Sequence, residues 1–175
     1  MDKQGLIEVY TGDGKGKSTA AFGLALRAAG WGLHTAIVQF MKHGEGYGET
    51  QAIAAMPAID LYSFGIKGFL HKGEPPDAES LSAAKAAMAK AAQLMGDQRV
   101  DILVLDEINN AIDFGLVSEE DALELIQKKP LGQELILTGR HAPETIIAIA
   151  DLVTEMKEIK HPYHQGIPAR RGIEY

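Results

Sequence analysis

Short apolar runs alternate with helical patterns along almost the whole chain. Runs of strand length occur at residues 6–10, 35–40, 59–63, 102–105, 134–138 and 152–156. Helical patterns lie between them, at residues 17–29, 49–55, 77–95, 118–128 and 143–150. Ser118, with Asp121 three residues later, is typical of a helix N-terminus, and Pro130 ends that pattern.

This alternation predicts an α/β fold with about six mostly parallel strands. Parallel strands need crossover connections, and helices in those connections cover both faces of the sheet. The chain has 175 residues, of which 46% are hydrophobic, so it is long enough to bury a core. All of these predicted strands and helices are used by one sheet and its covering helices, and none remain to form a second domain. We therefore expect residues 1–175 to form a single domain.

Composition excludes several classes of protein. The chain has 24 acidic and 17 basic residues and a net charge of -7, which argues against a nucleic-acid partner, since phosphate backbones require a basic surface. The apolar stretch at residues 6–10 is too short for a secretory signal or a membrane span, so we expect a cytoplasmic protein with no membrane association. The chain has no cysteine, which excludes thiolate metal sites and cysteine nucleophiles.

The strongest chemical signal is a glycine-rich segment between the first predicted strand and the first predicted helix. It reads Thr11-Gly12-Asp13-Gly14-Lys15-Gly16-Lys17-Ser18-Thr19 and departs from the pattern G-x-x-x-x-G-K-[ST] in having Thr11 at the first glycine. Glycines allow successive backbone N–H groups to face phosphate oxygens, while Lys17 supplies a charge and Ser18 a hydroxyl for Mg²⁺. A dinucleotide site is disfavoured because Lys17 stands where its third glycine would be. The segment therefore predicts a triphosphate site rather than a solvated turn.

A second signal is the apolar run at residues 102–105, which ends in Asp106 and Glu107. The carboxyl end of a parallel strand is where ligands bind in open α/β sheets, and carboxylates suit Mg²⁺. Successive residues of an extended strand point to opposite sides, so only one of the two acids is expected to face the metal. These motifs alone leave open a P-loop ATPase or small-molecule kinase, with Glu107 as a base that polarises water.

Further segments extend the comparison to the end of the chain: Val38-Gln39-Phe40-Met41-Lys42, Leu137-Thr138-Gly139-Arg140, residues 150–156 and residues 160–174. Together with the glycine-rich segment and the acidic pair, they resemble the CobA/BtuR-type ATP:corrinoid adenosyltransferases. The resemblance implies a P-loop, RecA-like fold. It also implies transfer of the 5′-deoxyadenosyl group of ATP to the Co(I) centre of a corrinoid, with release of triphosphate and formation of adenosylcobalamin or an adenosylated precursor.

The resemblance also implies how the substrates and partners are arranged. ATP is expected to lie along the loop in the direction opposite to that in ordinary P-loop enzymes, which leaves C5′ accessible to the corrinoid. A homodimer and an external flavin-type reductant or reductase are the expected partners. A nucleotide-dependent corrinoid carrier, which binds without catalysis, is a further function left open.

Residue roles follow from the same resemblance. It assigns residues 11–19 to ATP binding, with Lys17 also catalytic. It makes Ser18 and Glu107 ligands of Mg²⁺ or Mn²⁺, with Asp106 as a supporting acid. Lys42 and Arg140 follow predicted strands. Lys42, together with His43, is expected to reach phosphate or the amides and carboxylates of the corrinoid, with a solvated turn as the alternative. Arg140 is expected to face triphosphate, with a surface ion pair as the alternative.

The segment from Gly65 to His71 resembles the family loop whose aromatic residues cover the lower face of the corrinoid. An apolar wall that displaces the lower axial ligand makes cobalt easier to reduce, so Phe69 and His71 are predicted catalytic residues. Phe69 retains the first aromatic position, whereas His71 stands where tryptophan is familiar. For His71 three interpretations stay open: a flat ring on the corrin, an axial donor, or an exposed loop residue.

Overall fold

The computed structural model describes residues 4–44, 46–66 and 75–175. The strands in these residues are β1 (Ile7–Thr11), β2 (Thr35–Phe40), β3 (Ile59–Phe64), β4 (Ile102–Asp106), β5 (Glu134–Thr138) and β6 (Leu152–Glu155). The helices are α1 (Lys17–Ala29), α2 (Gly48–Ile53), α3 (Ala78–Leu94), α4 (Ile108–Asp113), α5 (Glu119–Gln127) and α6 (Glu144–Ile149), and a 3-10 helix covers Pro162–Gln165. The strands form one sheet in the order β3-β2-β4-β5-β1-β6.

Helices cover both faces of this sheet. Side chains of successive strand residues alternate between two hydrophobic cores, as the two-residue period of a strand requires. One core contains Tyr10, Ile37, Val104 and Ile136 together with residues of α1 and α2. The opposite core contains Val9, Val38, Leu105 and Leu137 together with residues of α3, α4, α5 and α6.

The predicted α/β fold is confirmed, with one difference in the sheet and one missed helix. All strand pairings between the described residues are parallel, rather than mostly parallel. Ser118 caps α5 by accepting a hydrogen bond from the Asp121 N–H at 3.1 Å, as predicted. Helix α4 was not predicted; it begins directly after β4, where Glu107 adopts a left-handed conformation with a φ angle of 66°. No helix in the described part of the chain is long and apolar enough to cross a membrane.

The topology brings the candidate functional segments to one edge of the sheet. The glycine-rich segment follows β1, and the acidic pair lies at the end of β4; β5 lies between these two strands. Because the sheet is parallel, the carboxyl ends of β1, β4 and β5 open onto the same edge, where ligands of α/β proteins bind. The loop after β2, which contains Lys42, opens onto this edge as well.

Candidate functional site

The glycine-rich segment forms a tight loop that leads directly into α1. Gly12 and Gly16 have φ angles of 93° and 126°, which glycine adopts far more readily than other residues. The Gly14 N–H donates a hydrogen bond of 2.6 Å to the carbonyl oxygen of Met156, and a Cβ atom on Gly14 would lie 2.6 Å from that same oxygen. The loop is thus closely packed against the segment that follows β6.

Lys17, at the start of α1, is buried and its ammonium group lies against the loop backbone. Its Nζ donates hydrogen bonds of 2.7 Å to the carbonyl oxygens of both Gly12 and Gly14. Burial lowers the pKa of Lys17, because removal from water disfavours the charged form. A phosphate anion at the loop would supply the counter-charge that this lysine lacks among its hydrogen-bond partners.

The two acids at the end of β4 occupy different environments. Asp106 is fully buried and accepts hydrogen bonds from Thr138 Oγ1 at 2.7 Å and Gln39 Nε2 at 3.1 Å. Lys42 Nζ lies 3.0 Å from the same carboxylate. Burial opposes ionisation of Asp106, but Lys42 and the hydrogen-bonding hydroxyls of Ser18 and Thr138 lower its pKa.

Glu107 leaves the extended conformation and adopts a φ angle of 66°. This left-handed turn is fixed by Thr138, whose Oγ1 accepts a hydrogen bond of 2.9 Å from the Glu107 N–H. The turn places Glu107 among the residues that line the cavity over the glycine-rich loop. Burial, and then the adjacent Asp106 carboxylate, raise the pKa of Glu107, so a cation in this cavity would stabilise its ionised form.

A cavity of about 620 Å³ lies over the loop, and we call it the loop cavity. Its lining includes the Ser18 hydroxyl and charged side chains of both signs: Lys15, Lys17, Lys42 and Arg140 are basic, and Asp13, Glu49, Glu107 and Glu174 are acidic. Another part has rings and apolar side chains from Phe22, His161, Ile173 and Tyr175. A molecule with a polyanionic end and a flat, less polar end matches this lining.

A second cavity of about 440 Å³ opens beside the loop cavity, and we call it the apolar cavity. It is lined by residues that include Phe40, Met41, Phe64, Ile66, Phe114 and Leu116. Asn110 lines both cavities, and in the loop after β2 Met41 and His43 line the apolar cavity whereas Lys42 lines the loop cavity. The two cavities therefore meet along Asn110 and residues 41–43.

Comparison with known proteins identifies the family. The profile of the family described as ATP:corrinoid adenosyltransferase BtuR/CobO/CobP matches residues 3–175. The chain belongs to the ATP:corrinoid adenosyltransferase family. It is 39% identical to a corrinoid adenosyltransferase of Sinorhizobium sp., over 99% of this chain and 82% of the relative. It is 37% identical to a corrinoid adenosyltransferase of Pseudomonas aeruginosa, over 85% of that relative's length. It is 32% identical to a corrinoid adenosyltransferase of Escherichia coli (strain K12), over 88% of that relative's length.

Most residues that the resemblance assigned to ATP in this adenosyltransferase line the loop cavity. Residues 13–19, Lys42, Glu107 and Arg140 do so. Thr11 and Gly12 do not line it. Thr11 Oγ1 accepts a hydrogen bond of 3.2 Å from the Ala142 N–H. Phe69 and His71 lie outside the described residues. The roles of all these residues stay predictions.

Lys42 and Arg140 have acidic partners in the protein, and for Arg140 the surface ion pair named above as the alternative is present. Lys42 is paired with Asp106 rather than lying in a solvated turn. Arg140 lines the loop cavity and also lies 3.9 Å from Asp13, both side chains being more than half exposed. An ion pair this exposed contributes little to stability. Little free energy is therefore lost when Arg140 leaves Asp13 to face a ligand.

Several residues of the adenosyltransferase site were not predicted as such. Thr138 and Gln39 hold Asp106, Glu49 lies 4.0 Å from Lys42, and Asn110 joins the two cavities. Thr138 and Gln39 each lie at the carboxyl end of a strand, in segments that carry the family resemblance. Their position at the ligand edge was the signal that could have identified them.

Proposed function

We propose that the protein transfers the 5′-deoxyadenosyl group of ATP to the cobalt of a reduced corrinoid. The observation that carries this proposal is the junction of the two cavities: the loop cavity, with its charged lining, opens beside an apolar cavity, and Asn110 lies in the wall of both. Such a junction suits a reaction at C5′, the atom of ATP through which the triphosphate is attached to the nucleoside. The triphosphate would occupy the loop, and C5′ would lie toward the apolar cavity.

In this reaction the electron pair of Co(I) attacks C5′ of ATP. A Co–C bond forms, the C5′–O5′ bond breaks, and its electron pair leaves on the triphosphate while the cobalt becomes formally Co(III). Because Co(I) is already a strong nucleophile, the protein needs to align the reacting atoms and stabilise the departing charge. Lys17, Lys42 and Arg140 are the cations of the loop cavity suited to that task.

The residues of the loop cavity also fit Mg²⁺. This ion is normally held by one or two protein oxygens together with substrate phosphates, and both the Ser18 hydroxyl and the Glu107 carboxylate line the cavity that would hold the triphosphate. We assign these two groups as ligands, with Asp106 supporting them through its contacts with Ser18 and Lys42. The metal would neutralise part of the negative charge of the triphosphate.

The fold is proposed to be of the P-loop, RecA-like type, with ATP reversed along the loop. The loop between β1 and α1 and the acidic end of β4 support this assignment. The reversed orientation is supported by the position of the apolar cavity, which is lined by residues from the ends of β2 and β3 and from α3 and α4. In this arrangement the γ-phosphate points away from the acceptor.

The corrinoid is proposed to occupy the apolar cavity, with Phe69 and His71 against its lower face. Ile66, the last described residue before the segment that contains them, lines this cavity. An external flavin-type reductant or reductase would supply the electron that converts Co(II) to Co(I). A cytoplasmic location stays a prediction from the sequence.

We also propose a homodimer formed through β6. This strand lies at the edge of the sheet, and Leu152 and Val153 are 40% and 41% exposed. Ile147 and Ile149 on the preceding helix add further exposed apolar surface. An edge strand with exposed apolar side chains is a ready template for pairing with a second chain.

Product analysis with ATP, Mg²⁺ and chemically reduced cobalamin tests the proposed activity. Adenosyl transfer yields intact triphosphate and a light-sensitive cobalt–carbon product. A phosphoryl-transfer enzyme would instead yield ADP, and a carrier would bind both compounds without either product. ADP as the main product, or unchanged ATP, would contradict the proposal.

A further inference from the structure

The last residues of the described chain lie on the glycine-rich loop. Lys15 Nζ donates hydrogen bonds of 2.8 Å to the carbonyl oxygen of Ile173 and 2.9 Å to Glu174 Oε1. Lys15 had been predicted to bind the nucleotide because of its place in the loop. Lys15 lines the loop cavity, and its ammonium group also connects the loop to a segment almost 160 residues later.

Residues 170–175, which we call the C-terminal turn, form an internally bonded structure. Glu174 accepts hydrogen bonds from the backbone N–H of Arg170 at 2.7 Å and from its guanidinium at 3.0 Å and 3.2 Å. The Gly172 N–H donates to the carbonyl oxygen of Tyr175 at 2.6 Å. The guanidinium of Arg170 and the ammonium of Lys15 lower the pKa of Glu174 to about 2. Glu174 thus joins the turn to the loop as a fully ionised acceptor at neutral pH.

The C-terminal turn is also part of the wall of the loop cavity. Gly172, Ile173, Glu174 and Tyr175 line it, together with Phe22 from α1. The phosphate-binding groups Lys17 and Ser18 line another part of the same cavity. Once the triphosphate occupies the loop, the space beside the turn is left for the nucleoside, and a ring such as that of Tyr175 or Phe22 can stack on a base.

We propose that the C-terminal turn forms the nucleobase wall of the ATP site and that Glu174 is the positioning residue that holds it there, through Lys15. This inference rests on the proposed function for the identity of the ligand. It gives Lys15 a role different from that of Lys17: Lys15 shapes the base end of the cavity, whereas Lys17 faces phosphate. Loss of the Lys15–Glu174 contact therefore weakens binding of a nucleoside triphosphate but leaves binding of the bare triphosphate unchanged.

Calorimetric titration with Mg²⁺-ATP and with Mg²⁺ and inorganic triphosphate separates these two parts of the site. For Glu174→Gln we expect the Kd of ATP to rise about tenfold, the equivalent of about 1.4 kcal/mol. The Kd of inorganic triphosphate should stay within about twofold. Equal weakening of both ligands, or no change in either, would overturn the proposal.

Asp97→Asn provides a matched control. Asp97 accepts hydrogen bonds from the backbone and guanidinium of Arg99 in nearly the same arrangement as Glu174 with Arg170, and its pKa is also about 2. It does not line the loop cavity. Its replacement should leave the affinities for both ligands unchanged, and a tenfold loss of ATP affinity in this control would refute the specific role of Glu174.

Limited proteolysis without nucleotide tests the contact independently of the proposed function. Release of the C-terminal peptide by trypsin at Arg170 or Arg171, followed by mass spectrometry, should be several times faster in Lys15→Gln than in the natural protein. Lys15→Arg, which retains the charge, should be cleaved at the natural rate. Equal cleavage of Lys15→Gln and the natural protein would overturn the anchoring role. If cleavage behaves as expected but ATP does not bind the natural protein, the proposed function fails and the anchor stands.

Discussion

The pair formed by Lys42 and Asp106 gives the sharpest prediction for stability. The two groups lie 3.0 Å apart, with side chains 18% and 0% exposed. At this separation and an effective dielectric constant of about 20, their attraction is about 5.5 kcal/mol before the cost of burial. Because Thr138 and Gln39 still bond to Asp106 when the lysine is removed, we expect Lys42→Met to lower the free energy of unfolding by about 3 kcal/mol.

A double-mutant cycle measured by urea unfolding, without nucleotide, tests this reasoning. Asp106→Asn removes the buried charge, so the double variant should be at least about 1.5 kcal/mol more stable than Lys42→Met alone. Lys85→Met, at an exposed position on α3, serves as the control and should change stability by no more than about 0.5 kcal/mol. Losses from the two single variants that simply add within about 0.5 kcal/mol would refute a direct interaction.

Four further predictions concern the metal, the acceptor, assembly and pH. Glu107→Gln should raise the Mg²⁺ concentration needed for half-maximal rate by about tenfold or more; an unchanged Mg²⁺ dependence in steady-state assays would exclude it as a ligand. Phe69→Ala should impair adenosylation of Co(II) corrinoid in a coupled reductase assay more than adenosylation of pre-reduced Co(I), and equal losses would count against its role. Leu152→Lys should produce monomers in light scattering, whereas Leu131→Lys, at an exposed leucine outside β6, should not; dimers in both would contradict the proposed interface. Burial raises the pKa of Glu134 above its ordinary 4.5, so its stabilising contribution is present below pH 4.5 and is lost as pH rises through the folded-state pKa. Urea unfolding of Glu134→Gln should therefore show a smaller fall in stability than the natural protein as the pH rises above 4.5, and an equal fall would contradict this assignment.

The sheet could be predicted from the sequence because its signals are local. Apolar runs of five or six residues, such as those that became β2 and β5, alternate with helical patterns long enough to be distinctive. Helix α4 lacks such a signal, since it follows β4 directly and the chain turns into it through a left-handed residue, Glu107. A non-glycine residue in that conformation is too uncommon to be expected from sequence.

The candidate site was predictable as a set of segments but not as a set of contacts. The glycine-rich loop could be recognised from its composition, and the acidic pair could be recognised from its place after an apolar strand. Which of the two acids lines the loop cavity depends on the turn that Thr138 fixes from β5, 31 residues after Glu107. The bond between Lys15 and Glu174 joins residues 159 positions apart, and no periodicity in the sequence relates them.

Electron–nuclear double resonance tests the proposed orientation of the nucleotide most directly. The complex would contain paramagnetic Co(II) corrinoid and ATP labelled with ¹³C at C5′, with Mg²⁺ present. With ATP reversed along the loop, we expect a strong coupling of the cobalt electron spin to the C5′ carbon and a much weaker coupling to the phosphorus of the γ-phosphate. A γ-phosphorus coupling stronger than that of C5′ would contradict it.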